Sequence, residues 1–142
     1  MIIKNKKPLI LVVATIVALL AFAFTYPAEK LLDPAKLAAT LKDPNAPKPL
    51  IINVGPTPLI KGAKFIGSAE DPTNKERLRA LLKDYPKNKE VVVYCGCCKL
   101  VDCWNIHEAD KIVTSMGFTN YKILNLPEDF ATDWQQKGYP TE

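Results

Sequence analysis

The sequence predicts a three-layer α/β domain with a central parallel sheet, preceded by an N-terminal hydrophobic helix. Three observations predict it. Short apolar runs that read as strands alternate with runs of helical periodicity, the pattern of strands joined by helical crossovers. The run Glu90-Val91-Val92-Val93-Tyr94 is β-branched and continuous, which suits a strand covered on both faces. The chain has 142 residues, room for one ordinary domain and a short appendage.

The elements follow in order. Residues 1–7 are short and basic, with Lys4, Lys6 and Lys7, and Pro8 to Phe24 is a run of 17 residues without a charge. That length falls between a signal-peptide core of ~7–15 residues and a spanning helix of ~17–25. The lysines favour a cytoplasmic location for that end. Ala21-Phe22-Ala23 resembles a small-x-small cleavage site, and no cysteine lies nearby for a lipoprotein anchor. Residues 1–25 therefore read as a signal peptide or a membrane anchor acting through residues 8–24, and both fates stay open. Either places the remainder on the periplasmic or extracellular face, secreted or anchored to the inner membrane, where disulfides persist.

Residues 26–32 read as a tether and 33–142 as the domain. Asp33-Pro34 is a helix start, an N-cap acid followed by proline at the first helical position. Leu37, Ala38 and Leu41 give that helix an apolar face, and Pro44, Pro47 and Pro49 end it. Leu50 to Val54 is a strand bounded by Pro49 and Gly55-Pro56, and a short strand is expected at Lys64 to Ile66. Thr73 with Glu76 forms a capping-box pattern for a helix whose inner face is Leu78, Leu81, Leu82 and Tyr85. After the strand at 90–94, Asn105 is the expected cap of a helix with Ile106, Ala109, Ile112, Val113 and Met116 inward. Tyr121 to Leu124 is a further strand, and Phe130 to Gln136 a last short helix.

Composition narrows the chemistry. The net charge is +4, and the three leader lysines leave +1 for everything else. A domain so near neutrality lacks the basic surface that nucleic-acid binding requires. The single histidine, His107, excludes a histidine-rich metal site and most Ser-His hydrolase designs. The four cysteines, Cys95, Cys97, Cys98 and Cys103, form one local group, whereas a disulfide framework would spread them along the chain.

Cys95 directly follows the strongest strand, and ligands bind beyond the carboxyl ends of strands in open parallel sheets. From there Cys95-Gly96-Cys97-Cys98-Lys99-Leu100-Val101-Asp102-Cys103-Trp104 leads into a helix. A helix N-terminus beside a thiol lowers its pKa and favours an anionic sulfur. Cys95 is thus the candidate nucleophile, with Lys99 a candidate for attracting an anionic substrate and Asp102 a turn former. The alternative for Cys95 is a small buried hydrophobe at a strand end.

From Leu32 to Pro140 the chain resembles a rhodanese-like sulfurtransferase domain. Leu50 to Val54 resembles the family's first strand, Ile60-Lys61-Gly62-Ala63 its Ile-Pro-Gly-Ala segment, and Val91 to Cys95 the strand that delivers its cysteine. Gly117-Phe118, Trp134 and Gly138-Tyr139-Pro140 resemble later landmarks, in order. The resemblance implies that Cys95 carries sulfane sulfur as a persulfide and passes it to a thiol or other nucleophilic acceptor. It implies that backbone N–H groups of the following loop, from Gly96 on, hold the anion. It implies a donor that is a small sulfur-containing anion such as thiosulfate. The chain departs from the family where Asn53 and Gly55 replace the usual Asp and Arg, and where 22 positions separate Cys95 from Gly117, longer than usual. The enlargement holds the extra cysteines, as in an exported subgroup with a Cys-Gly-Cys-Cys loop. Related phosphatases need an arginine six positions after the cysteine, where this chain has Val101.

Three readings of the extra cysteines compete. Cys98–Cys103 is the best-spaced disulfide pair. Cys97 or Cys98 can act as a resolving thiol on a Cys95 persulfide. Cys95, Cys97, Cys98 and Cys103, joined by His107 one helical turn on, can hold Cu(I) or Zn. No cofactor is required under the first two. The rival to an enzyme is accordingly a periplasmic thiol-rich metal or redox protein on the same scaffold, with an inert interaction domain behind it. His107 alone reads as an exposed or capping residue, and Trp104 and Trp134 as packing residues.

Overall fold

The computed structural model describes residues 24–142. The predicted signal peptide or anchor, apart from its last residues, lies outside the described residues. Among those described, no helix is long and apolar enough to cross a membrane.

Five parallel strands form one sheet: β1 (Leu31–Leu32), β2 (Leu50–Asn53), β3 (Lys64–Phe65), β4 (Val91–Tyr94) and β5 (Tyr121–Leu124), in the order β1-β5-β4-β2-β3. The β-branched run predicted as the strongest strand is the central one. Its Val91 and Val93 register with Leu50 and Ile52 of β2, and with Tyr121 and Ile123 of β5. Four helices cover the sheet: α1 (Pro34–Lys42), α2 (Pro72–Lys83), α3 (Trp104–Ser115) and the short α4 (Phe130–Asp133). Strand periodicity of two sorts the core into two layers. Ile52, Val91, Val93 and Ile123 face α2 and α3, packing on Leu78, Leu82, Ile106, Ala109 and Val113. Ile51, Val92, Tyr94 and Leu124 face α1 and α4, packing on Leu37, Phe130 and Trp134. The three-layer α/β architecture with a parallel sheet is therefore as expected. Lys75 of α2 and Glu108 of α3 pair at 2.6 Å, and the lysine holds the Glu108 carboxyl down at about 2.

Three local expectations are corrected. The tether at 26–32 is part of the domain: after a 3-10 turn at Ala28–Lys30, Leu31 and Leu32 pair with Ile123 and Leu124 as an edge strand. Two leucines in a row satisfy that edge and pack on the layers beside it, while Tyr26 packs against the α2/α3 core. The cap of α2 is Asp71, whose carboxylate accepts from the N–H of Thr73 at 2.7 Å, with Pro72 at the first helical position. This repeats the device of Asp33-Pro34, where Asp33 accepts from Ala35 at 2.7 Å, and it displaces the box built on Thr73. Helix α3 begins at Trp104, so Asn105 lies inside its first turn and is free for another task.

Candidate functional site

Cys95 follows β4 on the face that carries Val91 and Val93, and so projects towards α2 and α3. The end of β2 is shaped to receive it. A Cβ on Gly55 would lie 2.2 Å from the Cys95 sulfur, so a side chain at position 55 would displace the thiol. The buried carboxamide of Asn53 accepts from the N–H of Gly55 at 2.8 Å and donates to the carbonyl of Thr57 at 2.8 Å. The Thr57 hydroxyl in turn donates to the carbonyl of Cys95. A neutral hydrogen-bonded turn thus ties the end of β2 to the end of β4. Gly96 then turns the chain with φ +72°, where a Cβ would meet Phe130 at 2.7 Å. Its carbonyl accepts from the N–H of Phe130 at 2.9 Å, which fixes the loop to α4.

The turn at Gly96 brings Cys97 back over Cys95, with the two sulfurs 3.0 Å apart. Cys103, the residue before α3, supplies a third sulfur, and the three lie within 4.8 Å of one another. Cys95 and Cys103 are buried, and Cys97 is exposed. Asn105 completes the group. Its Oδ1 accepts from the Ser68 hydroxyl at 2.7 Å and the N–H of Glu70 at 3.1 Å. That aims its Nδ2 at the sulfurs of Cys95 and Cys97, at 3.5 and 3.8 Å.

These neighbours decide where the negative charge resides. The Cys103 thiol, within 4.8 Å of the Cys95 sulfur, does most to lower the Cys95 pKa, to about 6, against the opposing effect of burial. Cys97, through its thiol and its backbone N–H, and Asn105 act in the same direction. The two partner thiols are held protonated in consequence. Burial and then the Cys95 sulfur push Cys97 up to about 12. The neighbouring Cys95 sulfur, followed by burial, pushes Cys103 well above the ordinary thiol range. One thiolate with two thiol donors is the expected ground state near neutral pH.

The other predicted residues are placed differently. Cys98 sits 3.6 Å from Cys97 and packs partly on the core, outside the three-sulfur group. All four cysteines are free, and Cys103 lies with Cys95 and Cys97, so the predicted Cys98–Cys103 bridge is not formed. The geometric reason is the 3-10 turn at Leu100–Asp102, which buries Leu100 and returns Cys103 beneath Cys95. Lys99 stands exposed, 3.7 Å from Glu128, in a surface pair of little energetic weight. His107 is also outside the sulfur group, its ring stacked on Phe24 at 4.0 Å. Trp134 is fully buried, its indole N–H on the carbonyl of Pro140, and is the packing residue expected. Trp104 is instead 53% exposed.

Asn105 is the site residue that the sequence misreads. Its position before an apolar helical face is that of a cap, and its real partners, Ser68 and Glu70, lie more than thirty positions away. A cavity of about 490 Å³ lies elsewhere, walled by Leu31, Asn125 and Tyr139, and holds none of the cysteines. The thiol chemistry, and not the volume, marks the site. No family model matches the chain, and no curated protein matches it.

Proposed function

We propose that this protein is an exported rhodanese-like sulfurtransferase, with its domain on the periplasmic or extracellular side and Cys95 as the sulfur carrier. The observation that carries the reading is the buried sulfur of Cys95 at the end of the central strand, with Cys97 at 3.0 Å, the Asn105 Nδ2 at 3.5 Å and the Cys103 sulfur within 4.8 Å, a setting that lowers its pKa. In the cycle, the Cys95 thiolate attacks the outer sulfur of a donor such as thiosulfate. The donor's S–S bond breaks, sulfite leaves with its electron pair, and Cys95 holds the sulfur as a persulfide anion. An acceptor thiolate then attacks the terminal sulfur. The new S–S bond forms on the acceptor, and the Cys95 thiolate leaves as it began. No net redox change occurs on the enzyme. The donors around Cys95 hold the charge on sulfur at both stages.

A second reading has its own observation. Three sulfurs within 4.8 Å of one another suit a soft ion, Cu(I) or Zn, held by Cys95, Cys97 and Cys103. Binding would release the protons of Cys97 and Cys103, so its affinity would rise with pH.

One set of variants separates the two. Cys95→Ser should abolish sulfur transfer from thiosulfate or a persulfide donor to a thiol, while Cys97→Ser and Cys103→Ser keep part of it. Full transfer by Cys95→Ser overturns the sulfurtransferase reading. Absent transfer in the wild type, with Cu(I) or Zn binding lost alike in all three variants, favours the metal site, because each thiolate is then a ligand.

A further inference from the structure

The segment that follows the predicted leader leaves no slack. Residues 26–32 are not a tether: Leu31 and Leu32 are an edge strand, and Tyr26 is packed against the core. Phe24, the last residue of the 17-residue apolar run, already belongs to the domain surface. Its N–H donates to the carbonyl of Val101 at 2.7 Å, and its ring stacks on His107 at 4.0 Å and meets Trp104 edge-on at 4.9 Å. The run therefore ends on the cysteine loop itself.

The surface around Phe24 is apolar. Three large hydrophobic side chains are exposed among the described residues, and two of them, Val101 and Trp104, are here, at 42% and 53% exposure. An apolar cleft of about 230 Å³ opens beside them between Phe24, Tyr26, Leu100 and Val101. Tryptophan with one apolar side and one polar N–H suits the boundary between headgroups and acyl chains. A helical run of 17 residues spans about 25 Å, close to the hydrocarbon thickness of a bilayer. Its last residue would then stand at the far boundary, with Trp104 in contact with it.

We propose that the Phe24–Val101–Trp104 surface docks on the bilayer that holds residues 8–24, keeping the thiol loop at the membrane surface. This rests on the export reading with the run retained as an anchor. Lys99 and Asp102 flank the patch with opposite charges, so the contact is with the apolar boundary and not with one kind of headgroup charge.

The chain has two tryptophans, and only one is on this surface, which provides the test. Full-length protein is reconstituted into phosphatidylcholine vesicles with ordinary or brominated acyl chains, and bound protein is recovered by flotation. Brominated lipid should lower the emission of the floating wild type. It should leave unchanged that of Trp104→Phe, whose remaining Trp134 is fully buried. Equal emission in the two lipids from a wild-type chain that floats overturns the docking and leaves the anchor standing. Quenching that persists in Trp104→Phe overturns the docking as well. A chain that does not float removes the anchor and the docking together.

Discussion

Two layers of the molecule meet at the end of β4, where Tyr94 points towards α1 and α4 and Cys95 towards α2 and α3. The two side chains are adjacent in sequence and both are buried. Burial alone favours the neutral form of each. On the Tyr94 side it prevails. The hydroxyl accepts from the N–H of Ile60 at 2.9 Å and donates to the carbonyl of Pro58 at 3.1 Å. Its pKa is pushed up to about 12 by burial, and the ring stacks on Phe130. On the Cys95 side the same penalty is outweighed. The sulfur has donors around it and no carbonyl that needs its proton, so it falls to about 6. Depth is shared by the two faces. The balance of donors and acceptors makes one a structural pin and the other a reactive group.

Substitutions can break this contrast, beginning with the largest effect after loss of Cys95 itself. Removing the group that lowers the Cys95 pKa most, in Cys103→Ala, should move the pH midpoint of sulfur transfer up from about 6 towards the ordinary thiol value of 9. The sign follows from the reactive form: transfer needs the thiolate, so activity rises with pH through the Cys95 pKa, and a weaker acid shifts that rise upward. At pH 7 the thiolate fraction, and with it the rate, should fall roughly two- to fifteenfold, because a hydrogen bond to a charged group worth about 1.5–3 kcal/mol raises the pKa from about 6 by roughly one to two units. Cys103→Ser keeps a donor and should recover most of the rate. A pH-rate profile of the two variants checks this, and matched losses would instead indicate that sulfur itself is needed, as in metal ligation.

Asn105→Ala should act in the same direction with a smaller shift, because Asn105 is a weaker contributor than Cys103 to the low pKa of Cys95. It also leaves the Ser68 hydroxyl and the Glu70 N–H without their acceptor. A stability loss of about 1–3 kcal/mol is expected in denaturant unfolding, together with the raised midpoint. A merely structural Asn105 would show the first effect without the second.

Tyr94→Phe tests the other layer. It leaves the Ile60 N–H and the Pro58 carbonyl unpaired and should cost about 1–2 kcal/mol of stability by thermal or denaturant unfolding. The pH midpoint of sulfur transfer should remain near 6, since the groups that lower the Cys95 pKa are Cys103, Cys97 and Asn105 and not Tyr94. A midpoint that moves with Tyr94→Phe would show that the two layers are coupled through the end of β4.

Most of the architecture is legible in the amino-acid sequence. Alternating apolar strands and amphipathic helices leave few ways to bury both kinds of face, and a parallel sheet between two helical layers follows. The β-branched run at 91–94 is legible because no exposed strand tolerates such continuity, and Cys95 is legible because it closes that run. The remainder emerges from packing. Leu31-Leu32 is too short to carry a period and becomes a strand only because β5 offers an unpaired edge. Gly55 reads as turn punctuation until Cys95 is packed against it. Asn105 reads as a cap until Ser68 and Glu70 claim its oxygen and leave its nitrogen for sulfur. Cys103 reads equally as a disulfide mate of Cys98 or a ligand beside Cys95 until the 3-10 turn folds it beneath Cys95. Periodicity reports which face a residue presents, because that is a local property of the backbone. Which group lies opposite depends on chain segments far apart in sequence, and only packing brings those together.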